Sequence, residues 1–228
     1  MIRIASLIAC SLFGALPALA DASSAAPTGG ASAIGYIQSG SAIPDDADYS
    51  RGDVPRDDYG RPWTYEGLGA PLPAFIAETS TGQSFGSQQL KDRWTVLQVW
   101  GIWCHDSMND APYAASLSTA LAQEPSVDFL TIHTPHTARN AARATKSYES
   151  VAAWFDEKGY TYPTLVDHDA SLRNHLKIRW TPTYLVIAPD LTVQAFRTGL
   201  ADAGDDAVAQ FVENVKSTQA TWQAAQNQ

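Results

Sequence analysis

Residues 96–107 read Val-Leu-Gln-Val-Trp-Gly-Ile-Trp-Cys-His-Asp-Ser and join an apolar run directly to a cysteine. The run begins at Trp94, is rich in β-branched and aromatic residues, and is long enough for a buried central strand. We expect a helix to begin around Cys104 and to continue through Leu121, with Pro112 bending it. Cys104 would then lie in the first turn of a helix, just after a buried strand.

A cysteine in this position has surroundings that favour its thiolate. Free N–H groups and the positive end of a helix stabilise negative charge there. His105, when protonated, would add positive charge, and Ser107 is near enough along the chain to donate a hydrogen bond to the sulfur. Trp103 is expected to shield the sulfur and to contact a substrate. These residues predict a reactive thiol at Cys104; the alternative is an inert cysteine that packs as a small apolar side chain.

The sequence after Ala70 alternates between strand and helix patterns. Predicted strands cover residues 75–79, 127–132, 183–188 and 192–196, and predicted helices cover residues 137–158, 170–176 and 205–222. Strands that alternate with helices indicate an α/β fold whose sheet is partly parallel.

Together these segments resemble the TlpA/ResA branch of the thioredoxin superfamily. The matching features are Trp-Cys at 103–104 with Pro112 eight residues on, the N-terminal hairpin segments 72–75 and 89–91, and the second-half segments 162–167 and 178–190. The resemblance covers about residues 70–215. It implies a thioredoxin-like fold, in which a central mixed β-sheet is flanked by helices and extended by an N-terminal hairpin.

The resemblance also implies roles for individual residues. Cys104 matches the attacking cysteine, and Pro182 matches the proline whose preceding peptide bond is cis. Thr181 would offer backbone groups to a bound chain beside the sulfur. Asp110 matches an acidic position implicated in proton handling. His133 opens a His-Thr-Pro stretch similar to one in some relatives, so we expect it at the rim of the site.

One position departs from the family pattern. The family has Cys-x-x-Cys, whereas this chain has Cys-His-Asp-Ser, with Ser107 in place of the second cysteine. A self-resolving dithiol cycle is therefore excluded. Exchange through the Cys104 thiol alone remains, of isomerase or reductase type, with an outside thiol or the substrate's own second cysteine releasing the product. Expected partners are thiol- or disulfide-containing proteins and small thiols, and a Cys104-linked homodimer is also open.

Three other functions fit parts of the sequence. A non-catalytic thioredoxin-like binding or scaffold domain fits the loss of the second cysteine. A copper carrier would combine Cys104 with His105, His133 or His136, but one thiol with scattered imidazoles differs from the Cys-x-x-x-Cys and distant His of such carriers. A one-cysteine peroxidase would have Thr or Ser three residues before its cysteine, where this chain has Gly101. We predict no metal site and no cofactor.

The N-terminus predicts export. Residues 1–20 combine one cation, an apolar run and the small residues Ala18 and Ala20, which is the layout of a signal peptide cut after Ala20 and predicts a periplasmic or secreted protein. Residues 21–69 are rich in Ala, Ser, Gly and Asp, so we expect a flexible leader before a thioredoxin-like domain at 70–228. The net charge of −9, with no basic cluster, argues against nucleic acid as a partner. No integral membrane segment is expected after signal cleavage.

Overall fold

The computed structural model describes residues 65–201 and 206–227, so the expected signal peptide and most of the expected leader lie outside the described residues. The strands are β1 (Ile76–Thr79), β2 (Ser84–Gly86), β3 (Trp94–Trp100), β4 (Val127–His133), β5 (Thr164–Val166), β6 (Thr183–Ile187) and β7 (Val193–Thr198). The helices are α1 (His105–Leu121), α2 (Val151–Lys158), α3 (Ser171–His175) and α4 (Ala207–Gln226). Two 3₁₀ helices, Ser87–Leu90 and Ala138–Arg143, complete the described elements.

The strands form one seven-stranded sheet in the order β2-β1-β5-β4-β3-β6-β7. β3, β4 and β5 run parallel, while the β1–β2, β1–β5, β3–β6 and β6–β7 pairs are antiparallel. All seven residues of β3 are buried, because helices or loops cover both faces of the sheet. This explains why its sequence is a continuous apolar run rather than an alternating one.

Two apolar cores lie on opposite faces of the sheet. The first packs side chains of α1, α2 and α4 against the sheet and includes Trp100, Leu117, Trp154 and Phe211. The second packs α3, the 3₁₀ helix Ser87–Leu90 and the start of the domain against the other face, and includes Leu97, Leu165, Leu172 and Phe196. The sheet is therefore flanked by helices, as predicted.

The expected helix over residues 137–158 is wrong as a continuous element. The chain instead forms the 3₁₀ helix Ala138–Arg143, passes through Lys146 with a positive φ of 54°, and begins again at α2. Ser150 caps α2, since its Oγ accepts a hydrogen bond from Ala153 N at 3.0 Å. Gly159, with φ of 69°, ends α2 at the position that the sequence indicated.

The domain begins earlier than residue 70. Tyr65, which the sequence analysis placed in the leader, is 5% exposed, and its hydroxyl donates to Leu176 O at 2.6 Å. Its ring stacks on Phe196 with centroids 6.1 Å apart. A single anchoring aromatic in a segment without periodicity gives no pattern from which this packing could be predicted. In the described part of the chain, no helix has the length and apolar character that crossing a membrane requires.

Candidate active site

Cys104 lies in the short connection between the end of β3 and the start of α1. It is the N-cap residue of α1, and its backbone N–H donates to Gly101 O at 3.0 Å. Its carbonyl accepts the first bond of the helix from Met108 N at 3.1 Å. The side chain is partly exposed, and it is the free cysteine of the described residues. Cys104 is therefore a partly exposed residue at the end of a buried strand, beside the first N–H groups of a helix.

Thr181 brings its backbone to the sulfur. The peptide bond between Thr181 and Pro182 is cis, as the family resemblance implies. The Cys104 thiol donates to Thr181 O across 3.3 Å. A thiolate has no proton to donate, so ionisation of Cys104 would release the carbonyl of Thr181 to accept an N–H from a bound chain.

The side chain of Trp103, the residue before Cys104, contacts three other residues. Its Nε1 donates to Thr134 O at 2.6 Å, and its ring lies 4.8 Å from the His136 ring and 5.9 Å from the Arg173 guanidinium carbon. Gly101 makes this arrangement possible, because a Cβ there would stand 2.3 Å from Trp103 Nε1 and 2.8 Å from Thr134 O.

Asp110 is fully buried beneath the site and receives several hydrogen bonds. The Tyr184 hydroxyl donates to its Oδ2 at 2.5 Å, and its Oδ1 accepts from the backbone N–H groups of Leu200 and of Ala201, the latter at 2.9 Å. Burial raises the pKa of Asp110, and these bonds with the charge of Arg197 act against that rise. Asp110 is thus a carboxyl group that holds a proton to higher pH than an exposed aspartate.

A small cavity of about 30 Å³ adjoins Asp110 and has room for one water molecule. It also borders Pro182, Gly199 and Trp180. A Cβ on Gly199 would stand 3.6 Å from Asp110 Oδ1 and 3.7 Å from Pro182 Cγ. The buried carboxyl group therefore lies next to the proline that follows Thr181, with a cavity on the same side.

The structure gives the surroundings of two further predicted site residues, Ser107 and His105. Ser107 is buried, and its Oγ accepts from Gly101 N at 3.3 Å; the expected bond to the sulfur is not among those of the described residues. The His105 side chain is 85% exposed, with Nδ1 3.1 Å from Asn109 Nδ2 and 3.8 Å from Asp106 Oδ1.

The rim position predicted for His133 is wrong. Its side chain is 2% exposed and meets the Trp100 ring edge-on, with centroids 5.3 Å apart. Burial lowers the pKa of His133 to about 4, so it is neutral at physiological pH. His133 occupies the last position of β4, and its side chain turns into the core rather than toward the solvent.

Sequence reasoning missed three residues at the site: Gln98, Tyr184 and Arg173. Gln98 Nε2 donates to the Tyr184 hydroxyl at 2.8 Å and lies 3.4 Å from Asp110 Oδ2. A glutamine within an otherwise apolar strand was the available signal, because a buried polar side chain requires a partner. Arg173 gave no such signal. No group of three or more His, Cys, Asp or Glu suited to holding a metal ion occurs among the described residues.

Comparison with known families agrees with this geometry. The AhpC/TSA family model matches residues 68–196, which include β3, Cys104 and Pro182. The chain belongs to the AhpC/TSA family. Within this AhpC/TSA member, Cys104 and the Thr181–Pro182 bond lie inside the matched segment.

Two curated proteins of Bacillus subtilis (strain 168) are similar to this AhpC/TSA member. The thiol-disulfide oxidoreductase ResA is 23% identical over 131 residues, which span 58% of this chain and 67% of ResA. The thioredoxin-like protein YneN is 25% identical over 118 residues, which span 52% of this chain and 64% of YneN. The chain is therefore close to ResA-like thiol-disulfide oxidoreductases.

Solved structures share the fold. A candidate protein disulfide isomerase from Bacteroides thetaiotaomicron matches with a TM-score of 0.51 at 16% identity, covering 66% of this chain and 89% of its own. A candidate thioredoxin from Neisseria meningitidis matches with a TM-score of 0.51 at 14% identity, covering 65% and 89%. The AhpC/TSA member has the thioredoxin-like α/β fold that the sequence predicted.

Proposed function

We propose that this protein is an exported thiol-disulfide oxidoreductase that exchanges disulfides through the single thiol of Cys104. The observation that carries the proposal is the position of the Cys104 sulfur. It is partly exposed at the start of α1 and lies 3.3 Å from Thr181 O, a carbonyl that can pair with a bound chain. A buried structural cysteine would lack the exposure that attack on a disulfide requires.

The reaction follows from the presence of one thiol. The Cys104 thiolate forms a bond to one sulfur of a disulfide, the original S–S bond breaks, and the other sulfur leaves with the electron pair and takes up a proton. An outside thiol, or a second cysteine of the substrate, then attacks the mixed disulfide and releases Cys104. The substrate disulfide is reduced or rearranged, and any outside thiol is oxidised.

Asp110 is proposed to handle the protons of this exchange. Burial raises its pKa above that of an exposed aspartate, and the adjoining cavity offers room for a water molecule between it and the outside. Tyr184 and Gln98 fix the carboxyl group in place. His105, exposed next to Cys104, would add positive charge when protonated.

Thiol exchange fits the site better than peroxide reduction. Gly101 has no hydroxyl to direct toward a peroxide, and the space above it is taken by the Trp103 indole, whose N–H is committed to Thr134 O. Export is proposed from residues 1–20, and N-terminal sequencing of the mature protein would test cleavage after Ala20.

The test is exchange with a glutathionylated peptide in the presence of free glutathione, followed by mass spectrometry. We expect an adduct on Cys104 and turnover of the peptide, both lost in Cys104→Ala. Ser107→Ala is the matched control and should retain turnover, because a single-thiol reaction does not use residue 107. Unchanged turnover in Cys104→Ala would overturn the proposal.

The rival function, a non-catalytic binding domain, predicts a different result. Partner proteins would then co-purify equally well with the wild-type protein and with Cys104→Ser, and neither would form a mixed disulfide. A Cys104-linked homodimer is tested on the same samples, since it would run at twice the monomer mass without reductant and disappear in Cys104→Ser.

A further inference from the structure

Arg173 is held rigidly against the residue that precedes the candidate nucleophile. Its guanidinium donates to three backbone carbonyls: Nη1 to His136 O at 2.7 Å, Nε to Ile178 O at 3.2 Å and Nη2 to Arg179 O at 3.4 Å. Its central carbon lies 5.9 Å from the centroid of the Trp103 ring. A guanidinium has five N–H donors, so two remain for a ligand.

Among the described residues, no carboxylate forms a direct ion pair with Arg173. Other cations of the domain have such partners; Arg93 pairs with Asp128, and Lys177 pairs with Glu66. Within the described ranges, no carboxylate lies at ion-pair distance from the Arg173 guanidinium. The nearby Asp167 is bound instead by the backbone N–H groups of Leu172 and Arg173 and by the Thr134 hydroxyl.

The electrostatics of Arg173 connect it to the reactive thiol. Burial lowers the pKa of the half-buried guanidinium, and the negative charges of Cys104 and Asp167 oppose that effect. A partly desolvated cation that has no direct ion pair is stabilised further when another anion approaches it. Besides Asp167, the anions that can act on Arg173 are the thiolate of Cys104 and a negatively charged group of a bound substrate.

We propose that Arg173 is the anion-binding position of this site and selects disulfide partners that carry a carboxylate close to the reacting sulfur. The inference rests on the proposed single-thiol exchange and adds a substrate class to it. That chemistry occurs in small thiols of the glutathione class and in cysteines that adjoin Asp or Glu in a peptide. Arg173 changes none of its own bonds in the reaction; it holds the carboxylate while the sulfurs exchange.

The overall charge of the protein opposes the approach of anionic substrates. The chain carries a net charge of −9, which repels anionic thiols. Arg173 provides a local cation next to Trp103, and two of its five N–H donors are not used by the three backbone carbonyls. Other titratable or charged groups near Cys104 and Arg173 include His105, Asp106 and Asp110 of α1, His175 of α3, and His136 and Asp167.

The first experiment compares two alkylating agents that differ in charge. Iodoacetate carries a carboxylate beside its reacting carbon, and iodoacetamide is its neutral analogue. With free glutathione as the reference thiol, we expect Cys104 to favour iodoacetate, and Arg173→Met to lower the iodoacetate rate about tenfold more than the iodoacetamide rate. Arg173→Lys should give an intermediate ratio of the iodoacetate rate to the iodoacetamide rate, since lysine keeps the positive charge but lacks the paired N–H donors of a guanidinium.

Arg93→Met is the matched control. It removes the same charge just before β3, at the end of the strand opposite to Cys104, and should leave the ratio of the two rates unchanged. If Arg173→Met fails to fold, the wild-type protein still provides the test. Its preference for iodoacetate should decline as salt is raised, because screening weakens the attraction of an accessible cation for an anion.

Natural disulfides identify the source of the carboxylate. Oxidised glutathione should react faster than the cationic disulfide cystamine, and mixed disulfides of Cys-Glu and Cys-Gln peptides show whether an acidic neighbour in a peptide is recognised as well. A Cys104 that reacts with every probe at rates independent of probe charge and of Arg173 would overturn this inference and leave the proposed function standing. A Cys104 that reacts with none would overturn both.

Discussion

The Tyr184 hydroxyl donates to Asp110 Oδ2 at 2.5 Å, across 74 positions of sequence. This bond joins β6, which follows Pro182, to the interior of α1, which begins directly after Cys104. Gln98 Nε2, from β3, donates to the same hydroxyl at 2.8 Å. Three elements that converge on the candidate active site therefore share one buried hydrogen-bond network, and the carboxyl group in that network is Asp110.

The network predicts how Asp110 affects stability. Because the pKa of Asp110 is raised on folding, the folded state keeps a proton that the unfolded state releases. The free energy of unfolding should therefore fall as pH rises through the usual aspartate range toward the raised pKa, by about 1.4 kcal/mol per unit of pKa elevation. Asp110→Asn should remove this decline, measured by urea unfolding from pH 3 to 8. A decline that persists in Asp110→Asn would mean that another group causes it.

The same network predicts how Tyr184 affects catalysis. Tyr184→Phe removes a bond to the ionised carboxylate, so the pKa of Asp110 should rise further. The pH profile of disulfide exchange should then shift to higher pH, whereas Asp110→Asn should slow exchange by roughly 100-fold. Equal loss at every pH in Tyr184→Phe, without a shift of the profile, would indicate a packing role only.

His133 predicts a loss of stability in acid. Its pKa falls to about 4 on folding from an ordinary value of 6.5, so the unfolded state binds a proton that the folded state rejects. The stabilising contribution is complete above pH 6.5 and is lost as pH falls toward 4, a change of about 3 kcal/mol. His133→Gln cannot titrate in this range and should flatten that part of the curve. The wild-type and variant unfolding curves should therefore diverge between pH 4 and 6.5.

Ser107→Cys should convert the site to a dithiol. The residue is buried in the first turn of α1, three positions after Cys104, where the resemblance to the TlpA/ResA branch implies a second cysteine. We expect a reversible 104–107 disulfide and insulin reductase activity that the wild-type protein lacks. Ser107→Ala should gain neither. A variant that forms the bridge and remains inactive would show that the substrate face differs from that of dithiol relatives.

Gly101→Ala should displace the side chain of Trp103. The added methyl would stand 2.3 Å from Trp103 Nε1, so the indole must move and weaken its bond to Thr134 O. We expect a loss of about 1–3 kcal/mol in the free energy of unfolding and a shift in tryptophan fluorescence. Gly86→Ala is the matched control, because Gly86 has φ of −109° and its nearest neighbour would lie 3.9 Å away. Equal effects of the two substitutions would contradict this account.

The sequence predicted the fold through patterns that local physics dictates. The apolar run of β3, the Gly159 stop and the alternation of strands with helices all express burial and backbone preference. The position of Cys104 after a buried strand and at a helix start singled it out as a candidate, and the family resemblance added the cis bond before Pro182; the structure has the two close together. These features depend on residues near one another in sequence or on a motif that keeps its spacing.

The remaining features depend on tertiary contacts. His133 and Ser107 were expected at the site from their positions in the sequence, yet the packing of β4 and α1 turns both side chains inward. Arg173 lies 69 positions after Cys104 and reaches the site only because α3 packs under the loop that follows β4. No spacing or composition signals such a contact. The break between the 3₁₀ helix Ala138–Arg143 and α2 was likewise hidden by a helical pattern that runs through both.

Residues at the start of the domain bind the loop that leads to Thr181. The Tyr65 hydroxyl holds Leu176 O, and Glu66 bridges Lys177 Nζ at 2.7 Å and Arg179 Nη2 at 3.6 Å. This loop leads within two residues from Arg179 to Thr181. A protein shortened to begin at residue 70 would lose these contacts. The loop before Thr181 would then be held less tightly, and the packing of Tyr65 in the core would be lost. Residues at the start of the domain therefore help to hold the loop that carries Thr181 beside the candidate active site.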